Sequence, residues 1–392
     1  MTDGAGPDDP ELRVALFTGN YNYIKDGVAL TLNRLVAFLL KRGIPVIVFA
    51  PVGPVAAFEP TGELVPVPSM AIPTRKEYRI ALGFPKSAQE RLRAFRPTLF
   101  HIAVPDILGY KALKLAETWG VPVVSSYHTR YDTYLQHYGL NFLKGLGTRY
   151  MRNFYNRVAR VYPPSDSMAE IIRAEGLSQN VEVWARGVDS ELFAPAKRDM
   201  AWRRSLGIQD DEIAVSFAGR LVKEKNTGIF VRVLNSMLAK GLKVKPLIIG
   251  DGPEMAAMRA ELPWGVYAGF LHGEDLARAY ASSDIFFFPS ESETFGNVTL
   301  EAMASGLPAV NAIASGSNSL IAEGETGFLV SARDEAGLAA KIEMLVKDEA
   351  LRQRMGEAAR QRALTFSWDA ILSGLVESYR AVLRKARQKN GR

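Results

Sequence analysis

The chain has 392 residues, 47 % of them hydrophobic and 23 % charged, which is room for two soluble domains of ordinary size. With no cysteine and four histidines, disulfides and thiolate metal sites are excluded, and the composition argues against any dedicated metal centre. No run of about 18 apolar residues exists, so no spanning helix is expected. The polar, acidic start MTDGAGPDDPELR lacks the basic and apolar regions of a signal peptide, so a cytoplasmic protein is the expectation.

The net charge of +6 is unevenly spread: residues 1–190 hold 22 Lys and Arg against 17 Asp and Glu, and residues 191–392 hold 26 against 25. The first half reads as strands alternating with helices. Arg13 to Phe17 is a short apolar strand. A turn through Asp26-Gly27-Val28 opens a helical run to Leu40, which Gly43 stops. Pro45 to Ala50, Leu99 to Ala103 and Pro122 to Ser126 are further strands, apolar enough for burial on both faces of a parallel sheet.

After the last of these come Tyr127-His128-Thr129-Arg130 and then Tyr131, Asp132 and Tyr134. A histidine at a strand end is, taken alone, more often a spectator than a catalyst. The window 141–160 carries Lys144, Arg149, Arg152, Arg157 and Arg160 without an acid, interleaved with Phe142, Tyr150, Phe154 and Tyr155. Such a pattern fits an anionic membrane surface, or the solvated basic face of a core helix. No nucleic-acid-binding motif accompanies it.

Arg186 precedes a Gly187 to Pro195 stretch in which a domain boundary is expected. The strand rhythm then resumes at Ile213 to Phe217, Lys245 to Ile249, Gly265 to Tyr267, Ile285 to Phe288 and Ala309-Val310. Two doubly wound α/β domains follow from that alternation. The last helix puts Trp368, Ile371, Leu372, Leu375, Val376, Tyr379, Val382 and Leu383 on one face.

Three strand-end segments of the second half stand out. Gly219-Arg220-Leu221-Val222-Lys223-Glu224-Lys225 is, taken alone, more often an exposed basic turn, but its two cations after a strand could also stabilise an anionic diphosphate. No D-x-D pair exists to hold a divalent ion in their place. Gly250-Asp251-Gly252-Pro253-Glu254 is a tight turn into a helix, and no G-x-G-x-x-G fingerprint. The third, Ser290 to Pro308, reads SESETFGNVTLEAMASGLP. There Glu293 and Glu301 flank a Phe295-Gly296-Asn297 turn into a helix, whose N-terminal N–H groups favour anions.

Together these segments resemble the G-R-L-x-x-E-K, G-x-G-P-E and E-x7-E motifs of the retaining glycosyltransferases of family 4, over nearly the whole chain. The resemblance implies the GT-B fold: two Rossmann-like domains, 1–190 for the acceptor and 191–367 for the nucleotide sugar, a cleft between them, and a helix at 368–392 crossing back to the first. It implies that Glu301 holds the ribose and Glu293 the sugar hydroxyls, with Phe295, Gly296 and Asn297 fixing sugar and phosphates. Arg220 and Lys225 would face the diphosphate, Phe270 and Leu271 the base, Gly27 the phosphates from the first domain, and His128 the transferred sugar. Asp26 departs from the uncharged residue usual in the family.

Transfer with retention, to a hydroxyl deprotonated by the leaving phosphate itself, is part of the same implication, with no metal cofactor. A UDP- or GDP-sugar is the expected donor. The expected acceptor is a glycolipid precursor such as diacylglycerol, reached peripherally on the inner membrane face, with Tyr131, Asp132, Tyr134, Lys144, Arg149, Arg152 and Arg157 on that side. A soluble or polysaccharide acceptor, or a sugar-nucleotide-binding protein without transferase activity, are the competing readings.

Overall fold

A computed structural model describes residues 11–72, 75–127 and 144–390. The chain divides into two units: 1–184 with 369–392, and 185–368. The division thus falls between Trp184 and Ala185, a few residues before the position 190 expected from the glycines and prolines.

The first unit is built on six parallel strands in the order β3-β2-β1-β6-β7-β8. These are β1 Val14–Phe17, β2 Val46–Pro51, β3 Glu63–Val67, β6 Leu99–Ile102, β7 Val123–Ser126 and β8 Arg160–Tyr162. Between β3 and β6 an antiparallel pair, β4 Ser69–Ile72 and β5 Arg75–Ala81, stands apart from that sheet. Every residue of β1, β2, β6 and β7 is buried, as a strand covered by helices on both faces must be. Phe17, Phe49, Phe84 and Phe100 pack ring on ring at its centre.

Two helices of this unit start at an aspartate cap. Asp26 accepts from the N–H of Ala29 to open Gly27–Lys41, and Asp106 accepts from that of Gly109 to open Ile107–Trp119. The last helix, Trp368–Asn390, belongs to this unit from Asp369 onward. It buries Leu372, Leu375, Val376, Tyr379, Val382 and Leu383. Its polar groups are matched too: the Tyr379 hydroxyl meets His101 Nδ1, and Ser378 Oγ lies 2.7 Å from the Tyr162 hydroxyl and 2.8 Å from Arg160 Nη1.

The second unit repeats the plan with strand order β11-β10-β9-β12-β13-β14, all parallel. Its strands are β9 Ile213–Ala218, β10 Val244–Ile249, β11 Val266–Gly269, β12 Ile285–Phe288, β13 Ala309–Ala312 and β14 Gly327–Val330. Phe217, Phe230, Phe286, Phe287 and Phe288 fill its centre. Both units are therefore α/β doubly wound sheets. In each, the strand order reverses beside the first strand, at β1/β6 and at β9/β12, and ligands of such sheets bind beyond the carboxyl ends of the strands at that place. No helix among the described residues is long and apolar enough to cross a membrane.

Candidate active site

At the carboxyl end of the second sheet, backbone contact fixes the loops. Beyond β9 the chain passes Gly219 at φ +138°, and beyond β10 it passes Gly250 at +142° and Gly252 at +157°. A Cβ on Gly250 would lie 1.9 Å from the carbonyl oxygen of Gly219, and one on Gly252 would lie 2.4 Å from that of Leu221. No side chain fits there, and hydrogen bonds hold the approach: Leu221 donates to the Asp251 carbonyl at 2.9 Å and Glu254 to that of Leu221 at 3.0 Å. The G-R-L-x-x-E-K and G-x-G-P-E segments are thus one rigid surface.

On that surface the structure brings Lys225 and Glu293 together. Residues Lys223–Lys225 form one turn of 3-10 helix, closed by Asn226 in the left-handed conformation at φ 54°. Asn226 Nδ2 donates to the Pro289 carbonyl at 2.8 Å, tying the loop after β9 to the loop after β12. Lys225 then forms an ion pair with Glu293, and its Nζ is 3.2 Å from Ser292 Oγ. Both charged side chains are about four-fifths buried, at 21 % and 19 % exposure, so their attraction is screened less than that of a surface pair. Arg220, in the same loop, is exposed and ion-paired with no acid among the described residues.

The second glutamate sits in a different environment. Gly296, at φ 95°, turns the chain into the helix Asn297–Ala304. That helix buries Thr299, Leu300, Ala302, Met303 and Ala304, and Glu301 is its one ionisable residue. Burial pushes the Glu301 carboxyl up to about 7, opposed by a hydrogen bond from the Tyr280 hydroxyl to Oε2, 3.3 Å long. Phe295 is buried against Phe366, so it offers its backbone rather than its ring to a ligand. Asn297 is exposed at the helix start. The Glu293 carbonyl accepts from Gly316 N at 2.9 Å, and a Cβ on Gly316 would lie 2.4 Å from the Phe295 backbone.

Beyond β11, Phe270 is 71 % exposed, a free aromatic face at a strand end, with Leu271 half-buried beside it. Arg186 is buried, and burial lowers its guanidinium to about 10.

In the first unit Asp26 has a structural duty. Its two oxygens accept from Ala29 N at 2.8 Å and from Asn20 Nδ2 at 2.9 Å. The departure from the family pattern is therefore a helix cap, and one N–H of the helix start behind Gly27 is already occupied. His128, Tyr131, Asp132 and Tyr134 lie outside the described residues, as does the side chain of Lys144. Arg149 is exposed. Arg152 donates to the Glu175 carbonyl at 2.8 Å, Arg157 grips Glu117 with two hydrogen bonds, and Arg160 pairs with Glu182. Phe154, Tyr155 and Val158 are core residues. Three of the window's cations are therefore engaged within the fold: Arg152 on the helix Lys144–Tyr155, Arg157 in the turn after it and Arg160 at the start of β8.

Sequence reasoning passed over Tyr280, Ser292, Asn226 and Gly316. Ser292 and Asn226 adjoin the recognised motifs and were within reach. Tyr280 meets Glu301 only because two helices pack, and nothing local announces it.

The family model described as "Glycosyl transferases group 1" matches residues 199–362, and "Glycosyltransferase Family 4" matches residues 25–192. A GDP-mannose-dependent alpha-mannosyltransferase of Mycobacterium tuberculosis is 34 % identical over 380 residues, covering 95 % of this chain and 97 % of that protein. This chain belongs to glycosyltransferase family 4. A sulfoquinovosyl transferase of Arabidopsis thaliana is 32 % identical over 331 residues, 82 % of this chain and 64 % of its own length. Among solved structures, sucrose-phosphate synthase from Thermosynechococcus elongatus aligns with a TM-score of 0.79 at 20 % identity, over 95 % of this chain and all of that one. The enzyme is thus a glycosyltransferase that uses a nucleotide-sugar donor, and its two Rossmann-like units are those of the GT-B fold.

Proposed function

We propose that this glycosyltransferase moves a hexose, with retention, from a GDP- or UDP-sugar to a hydroxyl of a membrane glycolipid precursor, GDP-mannose being the first donor to try. The donor preference is supported by the mannosyltransferase relative, which aligns end to end. The lipid acceptor is supported by a further relative, an alpha-monoglucosyldiacylglycerol synthase of Streptococcus pneumoniae, 27 % identical over 313 residues.

The observation that carries the reading is the Lys225–Glu293 pair in the same loop as the exposed Arg220, at the place where the second sheet reverses its strand order. Without ligand, Glu293 holds the Lys225 ammonium in position and balances its charge. With donor bound, Lys225 and Arg220 face the diphosphate, and Glu293 accepts from hydroxyls of the transferred sugar. Glu301 accepts from the ribose hydroxyls, and the backbone of Phe295, Gly296 and Asn297 meets the phosphates. The bond from the anomeric carbon to the phosphate oxygen breaks, and the bond to the acceptor oxygen forms on the same face. The acceptor's proton passes to the leaving phosphate, whose charge the two cations stabilise in the transition state. His128 serves beside the transferred sugar.

Thermal unfolding with a panel of UDP- and GDP-sugars tests this. A ligand at 100 times its Kd stabilises the native state by about 2.7 kcal/mol, a shift of several degrees. GDP-mannose is expected to give the largest shift, and free nucleoside diphosphate should appear when acceptor lipid is added. A chain whose melting none of these donors moves does not have the site described.

A further inference from the structure

The first unit exposes its large apolar side chains mostly at one end. Met70, Ile80 and Leu82 are 50 %, 39 % and 53 % exposed, on or directly after the antiparallel pair β4–β5. Met70 and Ile80 are register partners, and Leu82 is two residues on from Ile80, so strand alternation sets all three on one face. The opposite face is the packed one, with Ala81 fully buried. The pair is anchored at the carboxyl end of the parallel sheet: the N–H of Arg79 donates to the hydroxyl of Tyr23, in the loop after β1, at 3.2 Å. Val55, 78 % exposed, and Ile107, 46 % exposed, lie in the segments leaving β2 and β6 at that same end.

The sequence through this pair is basic. Residues 69–86 hold Arg75, Lys76, Arg79 and Lys86 against the single acid Glu77. Lys86 and Lys111 are both exposed, and the Lys111 ammonium sits 2.6 Å from where a Cβ of Gly83 would be, next to Leu82. By contrast, the 141–160 window commits Arg157 and Arg160 to internal ion pairs. Exposed apolar side chains with a lysine beside them suit a bilayer with anionic headgroups, where each cation near the surface adds about 1 kcal/mol.

We propose that the β4–β5 pair is the surface by which this enzyme docks on an anionic lipid bilayer. Met70, Ile80 and Leu82 enter the interface, and Lys86 and Lys111 face the lipid phosphates. The inference rests on the lipid-acceptor reading and names the part of the first unit that meets the membrane.

The full chain is floated with vesicles of phosphatidylglycerol and phosphatidylcholine, or of phosphatidylcholine alone. Binding is expected only with the anionic lipid, and is expected to fall with salt. In the triple variant Met70→Glu, Ile80→Glu, Leu82→Glu it is expected to drop about tenfold or more. The joint variant Arg149→Gln, Arg152→Gln should still bind. Leu82→Trp supplies a readout that does not depend on the triple variant folding: its added emission should shift to the blue with anionic vesicles and not with neutral ones. Vesicle binding that survives the triple variant, or an emission that stays put, overturns the proposal. So does a dimer of the chain that the triple variant dissolves while vesicles fail to bind. Lipid glycosylation by a triple variant that still binds vesicles defeats only this inference. Donor turnover with soluble acceptors and none with lipid defeats the acceptor reading beneath it.

Discussion

Burying Glu301 costs this protein stability. Its carboxyl is held near 7 against an ordinary value of 4.5. Between those values the native state keeps a proton that the unfolded chain has lost. Stability therefore falls as pH rises from 4.5 through 7, by a total of about 3 kcal/mol. An isosteric amide removes that cost, so Glu301→Gln should melt higher than the parent at pH 8, and the two should converge near pH 4.5. On the proposed reading the same substitution takes away the acceptor for ribose hydroxyls, so donor affinity at pH 8 should drop about tenfold or more. In the parent, donor affinity should weaken as pH falls through 7, and in the amide variant that slope should vanish. Calorimetry and donor titration at several pH values check both. Lys225 separates from Glu301 by its kinetics. Removing one preorganised donor to a developing anion costs roughly 10²–10³ in kcat, so Lys225→Ala should lose turnover in that range with a smaller change in donor KM. Because the substitution strands Glu293, adding Glu293→Ala should cost less than the product of the two single effects. Equal losses in kcat and affinity for Lys225→Ala would remove it from the transition state.

At the scale of elements, the loops after β9 and β10 work because two backbones touch. Gly250→Ala drives a Cβ into the Gly219 carbonyl, 1.9 Å away, so the loop carrying Arg220 and Lys225 must move. Gly241, also at positive φ, has open space around it, and Gly241→Ala should cost only the roughly 1–2 kcal/mol of a left-handed alanine. Gly250→Ala should cost more in urea unfolding and should also weaken the donor. Equal costs with unchanged donor binding would mean the close approach is unimportant. These elements also show what a sequence reveals. The central strands β1, β2, β6, β7, β9, β10 and β12 were legible because burial on both faces makes them largely apolar. The edge strand β3 (ELVPV) and the β4–β5 pair were not, because exposed positions admit Glu, Pro and Arg, which read as loop, and the short β8 and β14 open on Arg and Gly. The donor-site motifs were legible because each is one strand-end loop, contiguous in sequence. The Tyr280–Glu301 contact and the Gly316 approach join separate elements, and Asp26 could be recognised as a cap only once Asn20 and Ala29 were seen around it.

At the scale of the whole molecule, the chain returns to its beginning. The first unit is completed by residues from 369 onward, whereas the proposed donor-site side chains from Arg220 to Glu301 belong to the second. Each unit has its own core, and damage to one core should spare the other. Val376 is fully buried in the last helix, beside the Tyr379–His101 and Ser378–Tyr162 contacts that join that helix to β6 and β8. Placing a carboxylate there strands a charge in an apolar site, a change that costs several kcal/mol out of a stability of about 5–15. In Val376→Asp, hydrogen exchange should accelerate across β1, β2, β6, β7 and β8 while β9 to β13 keep their protection, because the second core is untouched. On the proposed reading GDP or UDP should still bind with near-parental affinity, since Arg220, Lys225 and Glu301 stand on protected elements, while sugar transfer should fail for want of an intact first unit. Uniform loss of protection in both units, together with loss of nucleotide binding, would show instead that the last helix holds up the molecule as a single cooperative body.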